Sequence, residues 1–279
     1  MRVINSITEM KAVCQSLKRE GSLGFVPTMG YLHEGHLSLV DQSVSANRHT
    51  VVSIFVNPAQ FGRNEDLSTY PRDLDRDLEL LQSRGTDYVF YPDAAEIYPS
   101  EHQTWVEVEK LSVPLCGKSR PGHFRGVATI VLKLVNIVQP DYMYMGSKDF
   151  QQVVVLERML ADLNLDTVIT RCPIIRETDG LAMSSRNSYL DADERIRARC
   201  LSQALITARH SFALGERGTA VLIAEASRLI ETAGGNIDYV ECVDPKLLTP
   251  VETAEADTRM VMAVFIGRTR LIDNGALGS

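Results

Sequence analysis

Two histidines three residues apart, in the stretch Pro27-Thr28-Met29-Gly30-Tyr31-Leu32-His33-Glu34-Gly35-His36, follow an apolar run and open a segment of helical period. A helix that begins there turns its unpaired backbone N–H groups and the positive end of its dipole towards one point, a ready anion site. His33 and His36 leave the same side of the first turn. An imidazole near a helix N-terminus favours its neutral form, which still donates one N–H, so phosphate binding is the chemistry that suits this stretch. Two alternatives stand beside it. One is zinc, although H-E-G-H is one residue short of the i, i+4 pair in H-E-x-x-H; the other is a helix start that is merely polar.

Further segments carry candidate groups. Phe55-Val56-Asn57-Pro58-Ala59-Gln60-Phe61-Gly62 ends a strand, because Asn57 before Pro58 requires extended or turn backbone. Gln60, with donor and acceptor on one amide, could read a hydroxyl or a carboxylate; ordinary loop chemistry is the alternative. In Tyr70-Pro71-Arg72-Asp73-Leu74-Asp75-Arg76-Asp77 three carboxylates crowd a first helical turn, where capping accounts for them. A magnesium contact from Asp77 is the functional alternative. Gly117-Lys118-Ser119 imitates a P-loop, but the first glycine of that motif would fall on Ser112. Around it, 117–126 holds three cations and no acid, so it is either part of a wall around an anionic substrate or a solvated basic loop. Met145-Gly146-Ser147-Lys148-Asp149-Phe150-Gln151-Gln152 joins another strand end to a helix start. Lys148 can place a point charge on phosphate, Asp149 can cap, and Gln152 projects about one turn later. Leu181-Ala182-Met183-Ser184-Ser185-Arg186-Asn187 offers two hydroxyls and a guanidinium fork to phosphate oxygens.

The elements that must position these groups alternate. Strand candidates at Leu23–Val26, Val51–Val56 and Asp87–Tyr91 are separated by helical periods over 35–47 and 72–84. The pattern resumes with a helix over 125–138, a strand over Asp141–Met145, a helix over 149–161 and a strand over Thr167–Ile175. The expectation is an α/β fold: a Rossmann-like parallel sheet with helices on both faces, whose ligands sit outside the carboxyl ends of the strands. Beyond residue 190, helices over Asp191–Leu214 and Thr219–Ala233 and strands over Asp238–Val243 and Arg259–Ile266 predict a small C-terminal α+β domain. The boundary falls in the polar stretch 176–190, giving a nucleotide-binding domain over 1–176 and a domain over 177–279 that closes over the active site.

Composition narrows the class. With 279 residues, 44% hydrophobic and 23% charged, the chain has the makeup of an ordinary globular protein. Its net charge of −7 disfavours nucleic acid and anionic membranes as partners, so an anionic ligand must be held by local positive groups. Five cysteines, without a C-x-x-C pair, suggest neither a disulfide framework nor a cysteine zinc site, and a reducing cytoplasm is expected. No apolar run approaches the ~18 residues of a membrane span.

Taken together, P-T-M-G-x-L-H-x-G-H and the late M-S-S-R resemble the HIGH and KMSKS signatures of the nucleotidylyl-transferase superfamily. Adding F-V-N-P-x-Q-F, Y-P-R-D-x-x-x-D, G-H-F-R-G-V and G-x-K-D-F-Q-Q, the chain resembles the pantothenate synthetase family, ATP-dependent ligases of pantoate and β-alanine. The motifs run from residue 27 to 187 in family order. The resemblance implies that Met29, Gly30, Tyr31, Leu32, His33, Glu34, Gly35 and His36 line an ATP site, with His36 a proton donor and His33 a phosphate contact. It implies that Gly146, Ser147, Lys148 and Asp149, with Met183, Ser184, Ser185 and Arg186, hold ATP, and that Ile175 lies at the adenine or ribose. His33, His36, Lys148 and Arg186 would be the catalytic set. Gln60 would contact both pantoate and β-alanine, Gln152 pantoate, with Asn57 also binding substrate and Tyr70, Asp77 and Arg120 near the phosphates or second substrate. Magnesium, with Asp77 as its contact, and a homodimer are also implied, although Arg76 removes one possible acidic contact beside Asp77. Two other activities stay open on the residues alone: a transferase that releases a stable dinucleotide, and a nucleotide sensor without turnover. A transfer-RNA charging enzyme fits less well, since no basic RNA-binding module is evident.

Overall fold

A computed structural model of the chain describes residues 1–62 and 65–278. Short β-branched and aromatic runs form strands β1 (Arg2–Ile4), β2 (Leu23–Thr28), β3 (His49–Ile54), β4 (Tyr88–Phe90), β5 (Tyr142–Gly146) and β6 (Val168–Cys172). All pair in parallel, in the order β1-β4-β3-β2-β5-β6. Between them run α1 (Ile7–Glu20), α2 (Glu34–Ala46), α3 (Leu74–Ser83), α4 (Ala94–Ile97), α5 (Cys116–Ser119), α6 (His123–Val138) and α7 (Phe150–Asp162).

Side chains of a strand alternate between faces, and this sheet buries both. Phe25, Val51, Phe90 and Met143 share a core with Met10 of α1, Val131 of α6 and Leu156 of α7. Their neighbours Val26, Val52, Val89 and Tyr144 pack into a second core with Leu37 and Val40 of α2 and Leu81 of α3. The expected Rossmann-like sheet, with helices on both faces, is therefore present.

The sheet opens at its centre. Strand β2 pairs with β3 through Thr28 but with β5 only through Gly24 and Phe25. Leu23 directs both its N–H and its carbonyl to Asp141, just before β5, so the odd-numbered residues of β2 face β5. Pro27 lies on that side, beyond the last pairing, where its missing N–H leaves no ladder bond unmade. The chain order also reverses across β2, so the parting of β2 and β5 is the topological switch point at which such sheets receive ligands.

Two compact units are distinguished. The first comprises Met1–Ser112, Arg120–Ser147 and Gln151–Pro173; the second comprises Val113–Ser119, Lys148–Phe150 and the chain from Ile174 onward. The second unit contains α8 (Ala192–Ala198), α9 (Cys200–Ala213) and α10 (Thr219–Thr232). Strands β7 (Asn236–Val243), β8 (Arg259–Ile266) and β9 (Thr269–Ala276) form its antiparallel sheet in that order. Its core joins Leu201, Leu205, Leu222 and Ile230 of the helices to Met260, Met262 and Val264 of β8. Three expectations are corrected. The N-terminal β1 and α1 and the final β9 lie outside the expected elements. The single helix over Asp191–Leu214 is two, parted at Arg199, which ends α8 and starts α9. The strand over Thr167–Ile175 stops at Cys172, where Pro173 follows. Among the described residues no helix is long and apolar enough to cross a membrane.

Helix α6 crosses the Pro58–Gln60 turn so closely that a Cβ on Gly126 would lie 2.2 Å from the carbonyl oxygen of Ala59. Gly126→Ala must push α6 and that turn apart, and is expected to lower stability by about 1–3 kcal/mol. Denaturant unfolding checks this; an unchanged midpoint would show that the approach is not tight.

Candidate active site

His33 is the N-cap of α2, and it caps in an unusual way. Its ring Nδ1 accepts the N–H of Gly35 at 3.1 Å, while Nδ1 of His36 accepts the N–H of His33 at 3.4 Å. The two rings take the places of the Ser/Thr and Glu of a capping box, with centroids 4.1 Å apart. A ring nitrogen that accepts a hydrogen bond carries no proton, so both imidazoles are neutral tautomers with the proton on Nε2. Each then turns an N–H donor away from the helix end.

The turn before this cap is held by Asp77 of α3. Its carboxylate accepts the N–H of Tyr31 and the N–H of Leu32, each at 2.7 Å. Gly30 and Tyr31 both have positive φ, +80° and +50°, a conformation unfavourable for tyrosine that persists only when its surroundings enforce it. The clamp is tight, since a Cβ on Gly30 would meet Asp77 Oδ2 and Ile54 Cγ2 at 3.0 Å. Asp77 is buried, and burial raises its pKa above the usual carboxylate value against the opposing pull of the two amides and Arg76. Both oxygens are thus engaged on the backbone, a poor arrangement for a magnesium ligand. Asp73, by contrast, is an ordinary cap that accepts the N–H of Arg76 at 3.2 Å. A cavity of about 190 Å³ opens beside the turn, lined among others by Met29, Tyr31, Arg72, Asp77 and Tyr91.

A second network orients Gln60. Asn57 is buried; its Oδ1 accepts the Tyr98 hydroxyl at 2.9 Å and the Ala59 N–H at 3.3 Å. Its Nδ2 donates to the Gly126 carbonyl at 3.1 Å and to Oε1 of Gln60 at 3.0 Å. With Oε1 committed, the Gln60 amide presents Nε2 towards Met29 Sδ, 3.1 Å away. The Gln60 carbonyl accepts from His123 Nδ1 at 2.9 Å and from Arg120 at 3.3 Å. Arg120 also donates to His123 Nε2 at 3.1 Å and forms a two-pronged pair with Glu65 at 2.5 and 2.7 Å. Burial raises the Glu65 pKa, but the bonds and charge of Arg120 outweigh it and hold the carboxyl below its usual range. Arg125, another cation of this segment, lies over the Trp105 ring at 4.6 Å. Tyr70 is buried edge-on against Phe61, and Gln152 is half-buried on α7. The contributions of Tyr98 and His123 escape a sequence reading because their partners lie 41 and 63 residues away.

Gly146, which ends β5, and Ser147 after it belong to the first unit, and the second unit holds Lys148, Asp149, Ile175 and Met183–Arg186. Ile175 and Met183 face each other across a short turn, the carbonyl of Ile175 accepting the N–H of Met183 at 2.9 Å. Ser184 then caps the turn Ser185–Tyr189 by accepting the N–H of Arg186 at 3.2 Å. Ser185 is buried and Arg186 half-buried. Lys148 is largely buried, with Nζ 3.9 Å from Asp149.

A parallel sheet parted at its switch point, beside a helix whose first turn presents two imidazole donors, defines an α/β enzyme of the nucleotide-handling kind. The family model described as Pantoate-beta-alanine ligase matches residues 2–276, and the chain belongs to that family. A relative from Geobacter sulfurreducens named pantothenate synthetase is 52% identical, over 100% of this chain and 99% of its own. The crystal structure of pantothenate synthetase from Thermus thermophilus superposes with a TM-score of 0.95 at 42% identity, covering 100% of both chains. That of the pantoate-beta-alanine ligase of Francisella tularensis, complexed with beta-gamma ATP and beta-alanine, gives 0.86 at 34% identity, over 100% of this chain and 98% of that one.

If Asp77 clamps the turn, replacing it must cost more than replacing the cap beside it. Asp77→Asn turns an amide NH₂ towards one of two backbone donors and is expected to lose about 1–3 kcal/mol for the stranded group. Asp73→Ala should lose nearer 1 kcal/mol, as a cap does. Urea unfolding of both variants decides; equal losses would reduce Asp77 to a second cap.

Proposed function

We propose that this protein condenses pantoate with β-alanine at the expense of ATP, releasing AMP and pyrophosphate. Family membership over 2–276 supports the reaction, and the observation that carries its chemistry is the histidine cap, which aims two neutral Nε2–H donors from a helix start. A carboxylate and an amine do not condense unaided in water. A pantoate carboxylate oxygen therefore attacks the α-phosphorus of ATP, the bond from that phosphorus to pyrophosphate breaks, and a pantoyl adenylate remains. The β-alanine nitrogen then attacks the acyl carbon, AMP departs with the C–O electron pair, and the amine gives up its proton.

No protein nucleophile is needed, so the residues act by positioning and by supplying positive groups where charge develops. His33, His36, Lys148 and Arg186 are the proposed donors to the phosphates, with His36 a proton donor. Met29–His36, Gly146–Asp149, Ile175 and Met183–Arg186 are proposed to line the nucleotide. The Gln60 amide suits a substrate carboxylate or hydroxyl through Nε2, with Gln152 a second pantoate contact and Tyr70 and Arg120 near the second substrate. Magnesium would neutralise triphosphate charge; among the described residues no group of three His, Cys, Asp or Glu side chains is arranged to hold it, and Asp77 fits poorly. The metal would accordingly be carried by the nucleotide's own oxygens. A homodimer in a reducing cytoplasm completes the reading.

The decisive experiment is exchange of labelled pyrophosphate into ATP with pantoate present and β-alanine withheld. Exchange is expected, and a folded, ATP-binding protein without it would overturn the adenylate route. Lys148→Ala and His36→Ala should each slow exchange by about 10²–10³, the scale of one preorganised donor; Lys148→Ala should leave the unfolding midpoint nearly unchanged, whereas His36→Ala also removes a capping bond of α2 and should cost about 0.5–1 kcal/mol of stability. Full exchange in both variants would remove them from the chemistry.

A further inference from the structure

Lys148 and the Met183–Arg186 loop are far apart in sequence, yet both are tied to two consecutive residues of β9. Asn274 donates its Nδ2–H to the carbonyl of Lys148 at 2.8 Å. Its Oδ1 accepts Nε–H of Arg259 at 2.7 Å, and the same guanidinium lies over the ring of Phe150 at 4.2 Å. Asp273, whose side chain is wholly buried, receives Arg176 through both prongs, at 2.7 and 2.8 Å. Arg176 also donates to the Gly180 carbonyl at 3.0 Å and so spans the turn whose strands set Ile175 against Met183. The two β9 residues are linked to each other as well, since the Asp273 carboxylate accepts the Asn274 N–H at 2.7 Å.

We infer that Asp273 and Asn274 are positioning residues, a common anchor that sets the Lys148 charge and the Met183–Arg186 loop in one fixed register. This rests on the reading that Lys148 and Arg186 bind the triphosphate. The residue types are demanding. At 274 one side chain must donate to a carbonyl and accept from a guanidinium at once, which an amide does and a carboxylate cannot. At 273 a guanidinium held through both prongs requires two acceptor oxygens in a planar fork. Lys148 follows a strand of the six-stranded sheet in sequence, but its backbone is held by β9. Its charge and that of Arg186 are thereby delivered as a pair, and a displacement of about 1 Å in either is enough to cost on the order of 10²-fold in rate.

Asn274→Asp tests this with little change of shape: the bond from Arg259 is kept and the donor to Lys148 is lost. Pyrophosphate exchange at saturating ATP is expected to fall about 10–100-fold. The same substitution in a Lys148→Ala background should add almost nothing, because a residue that acts through Lys148 has no further effect once that side chain is gone. A loss in the double variant equal to the product of the two single losses would overturn the anchor and leave Asn274 a stabilising residue only. Undiminished exchange in Asn274→Asp alone, with Lys148→Ala impaired, would overturn it too while sparing the catalytic reading. Full exchange in Lys148→Ala would instead remove the reading beneath it. Asp273→Asn with Arg186→Ala repeats the cycle on the other half of the anchor, so the test survives if the first variant folds poorly.

Discussion

A buried carboxylate holding two backbone amides is the constraint on which the first half of the site depends. Asp77 takes the N–H groups of Tyr31 and Leu32, and only with both engaged can the chain keep two successive residues in the left-handed region and still arrive at His33 in position to cap α2. The opposing effects can be weighed. Desolvation disfavours the ionised carboxyl, whereas hydrogen bonds to a charged group contribute about 1.5–3 kcal/mol each, enough to outweigh a left-handed tyrosine that costs on the order of 1–3 kcal/mol. The turn is preorganised by a helix, whose Arg76 also donates to the Leu32 carbonyl at 3.0 Å.

Once the turn is set, internal hydrogen bonds decide which atoms face a ligand. The cap uses Nδ1 of both histidines, which leaves Nε2 to carry the proton. His123 has the opposite tautomer, since its Nδ1 donates to the Gln60 carbonyl and its Nε2 accepts from Arg120. Gln60 could present either end of its amide, but Asn57 occupies Oε1 and is itself held by Tyr98 and the Gly126 carbonyl. Donors reach the site already oriented, so binding requires little reorganisation of the protein, the condition under which fixed dipoles are most effective against developing phosphate charge.

Much of this was legible in the sequence, and what was not follows a physical pattern. Strands β2 to β5 are legible because their centres, Phe25-Val26, Val51-Val52, Val89-Phe90 and Met143-Tyr144, are buried on both faces and apolar. The place of the histidine pair at the start of α2 is legible because its position after a strand and before a helix is a local fact. Strand β1 is only three residues long, and α1 buries just Met10, Cys14 and Leu17, too narrow a stripe to stand out beside eleven other residues. The break at Arg199 carries no glycine or proline, so continuous helical period concealed it. Asp77 shows two roles from its own turn, cap and metal contact, whereas its partners lie 45 and 46 residues away.

Strand β9 shows the same limit in its strongest form. Its sequence, Thr-Arg-Leu-Ile-Asp-Asn-Gly-Ala, places Asp, Asn and Gly together, residues depleted from strands, and by propensity it reads as a turn. It is a strand because Leu271 packs into the core of the second unit and because the polar residues are satisfied by tertiary partners, Asp273 by Arg176 and Asn274 by Arg259 and the Lys148 carbonyl. A solvated Asp-Asn pair would favour local bonds to its own backbone and a turn. Buried, with guanidinium and carbonyl partners supplied by other segments, the same pair loses that alternative. The polar residues that defeat a propensity reading are thus the ones that join distant segments, and where those segments carry cations, local unfavourability in the sequence marks a residue retained for what it holds in place.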